Sequence, residues 1–329
     1  MRKRIAVCAG GDSPEYEISV KGARQFMQWL DKELFDPVIV LIRGKEWKAC
    51  FADGSESQID KNDFSYTAGG VRYAFDYALI NIHGTPGENG LLQSYFELLR
   101  IPYNTCGVLS SALTFNKYAC KVFLSAFGVK SARAVLMRKG EAFHPEHIIS
   151  VTGLPCFVKP NNSGSSYGVT KVKKKEELEE AIKKAFAEDE EVLVEEFLQG
   201  TEVTNGVVRI GEEIIVMPIT EIVSKNEFFD YEAKYVSGKS EEITPARISK
   251  ELETACKKLS RQIYQWLSCR GIVRIDYIIR NNEFYLLEVN TTPGMSEASI
   301  IPQQIRAMGK TVTDLYTRLI LEDLRRKNA

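Results

Sequence analysis

Four polar side chains interrupt an otherwise apolar stretch near the end of the chain. Arg274, Asp276, Glu288 and Asn290 offer a guanidinium, two carboxylates and an amide oxygen. Oxygen ligands of this kind suit Mg²⁺, especially beside a phosphate that supplies the remaining ligands. Single carboxylates on a solvated hairpin face are common, but Glu288 stands in an apolar run, where a buried carboxylate needs a partner. The set as a whole therefore indicates a Mg²⁺ site next to a phosphate.

Two β-strands on either side of residues 281–283 must position these side chains. Both runs are rich in Ile, Val, Tyr, Phe and Leu, and the Asn-Asn-Glu between them predicts a tight turn. Side chains two apart on a strand share a face. A three-residue turn places Asp276 opposite Glu288 and Arg274 opposite Asn290. Because two carboxylates facing each other across a sheet repel, a cation is expected between them.

A second group of residues is typical of a phosphate-binding loop. The pattern of Cys156–Pro160 predicts a strand that carries Lys159, and residues 161–168 (NNSGSSYG) follow at once. Small residues with free N–H groups can cradle a phosphate, with the lysine as the counter-charge. The order differs from a Walker A loop, in which the lysine follows the glycines, and from a GxGxxG turn. The alternative is a hairpin tip that binds nothing.

Two further loops follow predicted strands in the first third of the chain. The strand Ile5–Ala9 leads through a glycine pair into a helix whose first turn contains Glu15, where the positive helix end favours a carboxylate. The strand Tyr77–Ile82 leads into HGTPGENG, whose glycines around His83 let the backbone approach a ligand. Open α/β sheets bind ligands at the carboxyl ends of such strands. A plain strand-to-helix turn is the alternative for the second loop.

The rest of the pattern predicts three domains with α/β and α+β character. Helices are expected over residues 110–127, 173–187, 249–267 and 311–326, and an aromatic, charged loop over residues 228–235 suits an active-site flap. Lys117 and Lys121 lie on the first of these helices, but helix lysines are commonly solvated, so neither alone predicts a function. Chain turns place the domains at 1–103, 104–198 and 199–329.

The composition excludes several classes of protein. The chain has 329 residues, ordinary globular composition and a formal net charge of −1, with no basic domain that would indicate nucleic-acid binding. No apolar run approaches the ~20 residues that span a bilayer. The seven cysteines are scattered without a Cys-x-x-Cys pair, which fits free thiols in a reducing cytoplasm. A cytoplasmic protein with neither nucleic acid nor membrane as partner is expected.

Seven motifs in register resemble one family. They are GGDSPEYEIS, HGTPGENG, FVKPNNSGSS, EEFLQGTE, FFDYEAKY, RIDY and LLEVNTTPGMSEASIIPQQ. Together they resemble the D-alanine–D-alanine ligases of the ATP-grasp superfamily. The resemblance implies a three-domain ATP-grasp fold with an N-terminal open parallel sheet that binds substrate. It also implies that ATP lies between the central domain and the C-terminal, metal-binding domain.

The resemblance implies seven ATP-binding residues. They are Lys117, Lys159, Ser166, Glu195, Leu198, Glu202 and Lys234. The lysines would neutralise the phosphates, with Lys234 reaching them from the flap, and the serine loop would cover them. The segment from Glu195 to Glu202 would contact the adenine and the ribose. Asp276, Glu288 and Asn290 match the ligands of two Mg²⁺ ions, bridged by Glu288, with Mn²⁺ as an alternative metal.

Two D-alanine pockets are implied in the same way. The catalytic residues would be Glu15, Ser165, Tyr235, Arg274 and Gly294, and the further substrate-binding residues His83, Ser299 and Ile300. Glu15 matches the residue that takes the ammonium of the first D-alanine, and Ser165 and Tyr235 its hydrogen-bonded companions. Arg274 and the N–H of Gly294 would stabilise an oxyanion. Ser299 would hold the carboxylate of the second D-alanine.

The implied activity is ATP-dependent formation of D-alanyl-D-alanine through a D-alanyl phosphate, for peptidoglycan precursor synthesis, by a homodimer. D-lactate or D-serine as the second substrate is the nearest alternative, and Tyr235 in the flap favours the dipeptide. A different ATP-grasp acid–amine ligase fits HGTPGENG and GGDSPEYEIS less well. A non-catalytic nucleotide-binding protein on the same scaffold would be marked by loss of Lys159, Arg274, Asp276 or Glu288, and all four are present.

Overall fold

The computed structural model describes residues 2–164, 167–224 and 240–327. The first elements are β1 (Lys3–Gly10), α1 (Tyr16–Trp29), β2 (Phe35–Arg43), β3 (Glu46–Cys50), β4 (Glu56–Asp60), β5 (Ser65–Ala68), β6 (Val71–Ala74), β7 (Tyr77–Ile80), α2 (Leu91–Leu98), α3 (Val108–Phe115) and α4 (Lys117–Ser125). Then follow β8 (Lys130–Ser131), β9 (Ala134–Arg138), α5 (Pro145–Thr152), β10 (Cys156–Pro160), β11 (Thr170–Val172), α6 (Leu178–Phe186) and β12 (Glu191–Glu196). The last are β13 (Thr201–Ile210), β14 (Glu213–Val216), β15 (Thr220–Ser224), β16 (Ser240–Ile243), α7 (Lys250–Trp266), β17 (Ile272–Arg280), β18 (Glu283–Asn290), α8 (Ile300–Ala307) and α9 (Val312–Lys327).

The N-terminal sheet has seven strands in the order β6-β5-β4-β3-β2-β1-β7. Strands β2, β1 and β7 are parallel, and β2 to β6 continue the sheet as antiparallel neighbours. The predicted open parallel sheet therefore corresponds to one end of this larger, mixed sheet. Because β1 and β7 are parallel neighbours, the loops that follow Gly10 and Ile80 leave the same edge of the sheet.

Helix α1 begins at Tyr16, two residues later than the start that the Ser13-Pro14 pair predicts. Glu15 is the N-cap residue rather than a first-turn residue. Its side chain is buried, and it still lies at the positive end of the helix.

The helix predicted over residues 110–127 is two helices that break at Asn116. The Asn116 side chain accepts a hydrogen bond from Ala119 N–H at 2.8 Å, so it caps α4. Tyr118 N–H donates to the Asn161 side chain at 2.9 Å. This break makes Lys117 the first residue of α4 and ties the helix start to the loop after β10.

The central sheet has four antiparallel strands in the order β11-β10-β12-β9. Helix α6 covers it with the apolar stripe expected from its 3.6-residue period, and Leu178, Ile182 and Ala185 are buried. The predicted start at residue 173 is wrong, because a short 3₁₀ turn at Lys175–Glu177 precedes the α-helix.

The C-terminal sheet runs β16-β15-β13-β17-β18-β8, with β14 paired to β13. The hairpin β17–β18 turns over two residues, because Arg280 pairs with Glu283, and both Asn281 and Asn282 adopt positive φ. The expected three-residue turn is therefore wrong. A β-bulge beside Asp276 adds one residue to the opposite strand, which restores the expected pairing of Asp276 with Glu288.

One apolar core contains residues from both ends of the chain. Phe26 of α1 contacts Tyr316 of α9 edge to face, with ring centroids 4.8 Å apart. The Tyr77 hydroxyl donates to Asp323 Oδ2 at 2.7 Å. The N-terminal sheet and the last helix are therefore joined, which fixes the N-terminal loops relative to β17–β18. Among the described helices, none is both long and apolar enough to cross a membrane.

Candidate active site

The hairpin β17–β18 brings the predicted polar side chains together. Arg274 donates through Nε and Nη2 to the two carboxylate oxygens of Asp276, at 2.9 and 2.7 Å. Its Nη2 also lies 3.9 Å from Glu288 Oε1. Asp276 is buried and accepts a further hydrogen bond from the Thr204 hydroxyl. The cation that the sequence requires between the two carboxylates is therefore Arg274.

Lys117 approaches the same carboxylates from α4. Its Nζ donates to the carbonyl oxygen of Ser163 and lies 3.7 Å from Glu288 Oε2. The Lys117 side chain is only 13% exposed. It therefore connects the loop after β10 with the acidic edge of the hairpin.

Lys121, Lys159 and Glu195 form a buried ion triad. The Glu195 carboxylate on β12 accepts a hydrogen bond from Lys121 on one oxygen and forms an ion pair with Lys159 through the other. Burial alone would raise the pKa of Glu195, but the charges of Lys121 and Lys159 lower it to about 2. Burial lowers the pKa of Lys121 to about 8, against the opposing charge of Glu195. The carboxylate is thus ionised at neutral pH and holds both lysines in place.

Lys121 is a residue that sequence reasoning missed. Its Glu195 partner lies 74 positions further along the chain, so no local pattern marks the pair. Glu195 and Lys159 were expected to contact ATP, and Lys121 now joins them as the third member of the triad.

The two asparagines before the serine loop anchor that loop. The Asn161 side chain is fully buried and donates to Glu191 Oε2 at 2.7 Å. Asn162 donates through its backbone N–H to Asp189 Oδ2 at 2.6 Å. Further along, a β-carbon placed on Gly164 would lie 2.7 Å from Glu15 Oε2. The absence of a side chain at Gly164 therefore lets the loop approach Glu15, the N-cap residue of α1.

A first cavity of about 490 Å³ lies between the central and C-terminal sheets. Its lining includes Lys117, Lys159, Glu195, Leu198, Glu202 and Asp276. Apolar side chains such as Phe157, Ile278 and Leu287 line it as well. A cavity lined by both apolar side chains and lysines suits a base joined to phosphates.

A second cavity of about 510 Å³ lies between the N-terminal loops and the C-terminal sheet. Its lining includes Glu15, His83, Asn290, Gly294, Ser299 and Ile300. The residues expected in the two D-alanine pockets are thus collected in one space, as far as the structure describes them.

The two cavities share five lining residues: Lys117, Ser163, Gly164, Arg274 and Glu288. Two basic side chains and one carboxylate therefore stand where the spaces meet. A phosphate at this junction would be reachable from both sides. The arrangement suits transfer of a phosphoryl group from a molecule in the first cavity to one in the second.

Glu88 is a second residue that sequence reasoning left without a role. Its carboxyl accepts a hydrogen bond from Gly84 N–H at 2.7 Å and lines the second cavity. Burial, and then the negative charge of Glu15, raise the pKa of Glu88 to about 8. Burial also lowers the pKa of His83. At neutral pH this wall therefore carries a protonated carboxyl and a neutral imidazole.

The opposite wall contains the start of α8. Ser299 is the N-cap residue of this helix, and its Oγ accepts a hydrogen bond from Ser296 N–H at 3.0 Å. A β-carbon on Gly294 would lie 3.1 Å from that same Oγ. A helix N-terminus with a hydroxyl beside it favours a carboxylate.

Four predicted site residues lie outside the described residues. They are Ser165, Ser166, Lys234 and Tyr235. The predicted flap over residues 228–235 lies outside them as well. Their roles stay predictions.

The sheets define an ATP-grasp fold, with a cavity between the central and C-terminal sheets. A family model described as the D-ala D-ala ligase N-terminus matches residues 4–106, and one described as the D-ala D-ala ligase C-terminus matches residues 123–321. The chain belongs to the D-alanine–D-alanine ligase family.

Individual relatives agree with this assignment. A D-alanine–D-alanine ligase of Bacteroides fragilis is 49% identical over 321 residues, which cover 97% of this chain and 99% of that protein. The VanG D-Ala:D-Ser ligase of Enterococcus faecalis superposes with a TM-score of 0.85 at 31% identity, over 98% of this chain and all of that one. A Bacillus anthracis D-alanine–D-alanine ligase solved in complex with ATP gives a TM-score of 0.79 at 27% identity, over 99% of each chain.

Proposed function

We propose that this protein joins two molecules of D-alanine to D-alanyl-D-alanine, with ATP converted to ADP and phosphate. The observation that carries the proposal is the junction of the two cavities at Lys117, Arg274 and Glu288. Membership of the ligase family supplies the identity of the substrates. The dipeptide would serve peptidoglycan precursor synthesis in the cytoplasm.

The first cavity would hold ATP with its phosphates toward the junction. Lys159 is held at the carboxylate of Glu195, and Lys117 at the carbonyl of Ser163, so both ammonium groups are positioned before a nucleotide arrives. Such prepositioned charges offset the repulsion between a triphosphate and an attacking carboxylate. Leu198 and Glu202 also line this cavity, and the adenosine would bind beside them.

Asp276, Glu288 and Asn290 would hold Mg²⁺ or Mn²⁺. In the described part of the chain no three or more His, Cys, Asp or Glu side chains form a complete metal cage. Two carboxylates and an amide fit a magnesium ion that takes its other ligands from water and phosphate. When bound, the metal supplies positive charge that neutralises the phosphates. The chain's own part is to hold the two carboxylates opposite each other, with Arg274 between them.

Glu15 would bind the ammonium of the first D-alanine. Its carboxylate is buried and borders both the second cavity and Gly164. The substrate carboxylate would then face Lys117 and Glu288 at the junction. Attack of this carboxylate on the terminal phosphate of ATP gives a D-alanyl phosphate. The carboxylate carbon, a poor electrophile, becomes the good electrophile of an acyl phosphate.

Arg274 would stabilise the oxyanion that forms when the second D-alanine attacks. Its guanidinium lies at the junction, and a donor aimed at such an oxygen contributes about 3 kcal/mol. Ser299 and the start of α8 would hold the carboxylate of the second D-alanine. Ser165, Ser166, Lys234 and Tyr235 would complete the cover that keeps water from the acyl phosphate.

The test is phosphate release from ATP and Mg²⁺ with D-alanine, alone and with D-lactate or D-serine, and mass analysis of the products. One D-alanyl-D-alanine per phosphate is the expected result. A D-alanyl-D-lactate or D-alanyl-D-serine product formed in preference would change the second substrate, and the D-Ala:D-Ser relative is the reason to include D-serine. Absence of phosphate release with every D-amino acid would refute the proposal. Sedimentation analysis of the same sample tests the expected homodimer.

A further inference from the structure

One carboxylate in the second cavity has no place in the reaction described above. Glu242 lies on β16, where it pairs with Ile222, and Ile222 in turn pairs with Glu202 on β13. Directly paired residues share a sheet face, and residues two apart on a strand do too. Thr204 pairs with Asp276, so Glu242 projects from the same face of the sheet as Asp276.

Glu242 is fixed against α8. Gln303 donates through Nε2 to Glu242 Oε2 at 2.6 Å and to the Ala298 carbonyl oxygen at 2.8 Å. Gln303 lies one helical turn after Ser299, the N-cap residue of α8. Glu242, Ser299 and Arg274 line the same cavity. The carboxylate is therefore held at a defined position beside the helix start that would receive the second D-alanine.

The charges around this position match an amino acid zwitterion. The N-terminus of α8 favours a carboxylate, and the carboxylate of Glu242 favours a cation. The ammonium and carboxylate of an α-amino acid are separated by one carbon atom. A molecule whose carboxylate lies at Ser299 therefore has its ammonium within the cavity that Glu242 faces.

We propose that Glu242 binds the ammonium of the second amino acid and accepts the proton that its nitrogen must lose before attack. The inference rests on the proposed function and adds the proton acceptor of its second step. It also gives a reason to prefer an amine to D-lactate at this site, because a hydroxyl brings no positive charge to the carboxylate.

The attack of the second amino acid on the acyl phosphate balances in protons and electrons. Glu242 takes one proton from the ammonium, and the freed nitrogen lone pair forms the C–N bond to the acyl carbon. The C–O bond to the phosphate then breaks, and its electron pair stays on the phosphate. A second proton leaves the nitrogen with the departing phosphate. Glu242 returns its own proton to water when the products leave.

The surroundings of Glu242 suit a proton acceptor. Burial raises its pKa, while the hydrogen bond from Gln303 and the charge of Arg274 oppose that rise. Among the described elements, β15 presents the apolar Ile222, α8 presents Gln303, and β17 presents Arg274. The other titratable residues that line the cavity are Glu15, Glu17, Lys21, His83, Glu88, Lys117 and Glu288. A carboxylate with a raised pKa is a better proton acceptor than one in water.

The experiment compares Glu242→Gln with Glu241→Gln. Glu241 is exposed and pairs with Val223, so it projects from the other sheet face and serves as the matched control. Each variant is assayed with D-alanine alone and with hydroxylamine as the nucleophile. Hydroxylamine is neutral at neutral pH, so it needs no deprotonation before attack, and the one proton that its nitrogen loses leaves with the phosphate. Glutamine keeps the size of the side chain and an oxygen for Gln303, and thermal unfolding checks that the fold is intact.

We expect Glu242→Gln to lose dipeptide formation about 100-fold and to keep D-alanyl hydroxamate formation within about threefold. The acid limb of kcat/KM for the second D-alanine should also weaken in this variant. Glu241→Gln should match wild type in both assays. Normal dipeptide formation by Glu242→Gln, or equal loss of dipeptide and hydroxamate, would overturn the inference. A wild type that forms neither product would instead refute the proposed function.

Discussion

Replacing Lys121 by methionine tests the buried ion triad. The Lys121 and Glu195 side chains are 6% and 4% exposed, so water does not screen the pair. Lys159 remains on the other carboxylate oxygen. The variant therefore loses a charge-assisted hydrogen bond without leaving a bare buried carboxylate. We expect the free energy of unfolding to fall by about 2 kcal/mol. This loss is smaller than the roughly 3–5 kcal/mol lost when one partner of a buried ion pair is removed and the other is left unpaired.

The same substitution should weaken ATP binding. With Lys121 gone, Glu195 attracts Lys159 alone, and that ammonium becomes less available to a phosphate. A loss of about 1.4 kcal/mol at this contact corresponds to a rise in KM for ATP on the order of 10-fold. The kcat should change less, because Arg274 and Glu288 at the junction are untouched.

Lys139→Met is the matched control. Lys139 forms an ion pair with Glu190 at 2.8 Å, but these side chains are 56% and 76% exposed. An exposed pair contributes about 0–1 kcal/mol. The assay measures urea unfolding at neutral pH and initial rates against ATP concentration for both variants. If Lys121→Met is no less stable than Lys139→Met and its KM for ATP equals that of wild type, the triad has neither role.

Three further outcomes follow from the site. Glu288→Gln removes a charge from the expected metal site, so dipeptide formation should be abolished, and near-normal turnover would contradict the metal-site interpretation. The pKa of Glu88 is about 8 in the folded protein, above the value of about 4.3 expected in an unfolded chain. This carboxyl therefore stabilises the fold at low pH and loses that contribution as the pH rises through 8. Glu88→Gln should flatten the pH dependence of the free energy of unfolding between these two pKa values, and parallel curves for variant and wild type would contradict this prediction. Gly164→Ala places a β-carbon against Glu15, so the KM for the first D-alanine should rise, while the KM for the second should change less. Steady-state rates at saturating ATP measure both constants. Unchanged kinetics would show that the loop can shift without cost.

The sequence predicted those parts of the site that depend on strand period and chain order. Alternation along residues 272–290 was enough to put Arg274, Asp276 and Glu288 on one face. The pairing of Asp276 with Glu288 was expected for a reason that proved wrong, because a shorter turn and a β-bulge compensate each other. A bulge has no reliable sequence signal here, since Leu287 suits a regular strand position equally well.

The residues that escaped prediction are those whose meaning depends on distant partners. Lys121 resembles any helix lysine until the fold brings Glu195 to it. Glu88 and Glu242 gain their significance from the cavity that they line, and the cavity is formed by segments far apart in the chain. Burial and long-range contacts decide the chemistry of such groups, and neither can be read from local spacing.

The core that joins Phe26 to Tyr316 has a consequence for synthesis on the ribosome. The face of α1 that packs on α9 cannot be covered until α9 itself has left the exit tunnel. All the other described elements after α1 are made before this apolar face can meet its partner. A nascent chain halted before α9 therefore exposes an apolar surface that chaperones and proteases can recognise.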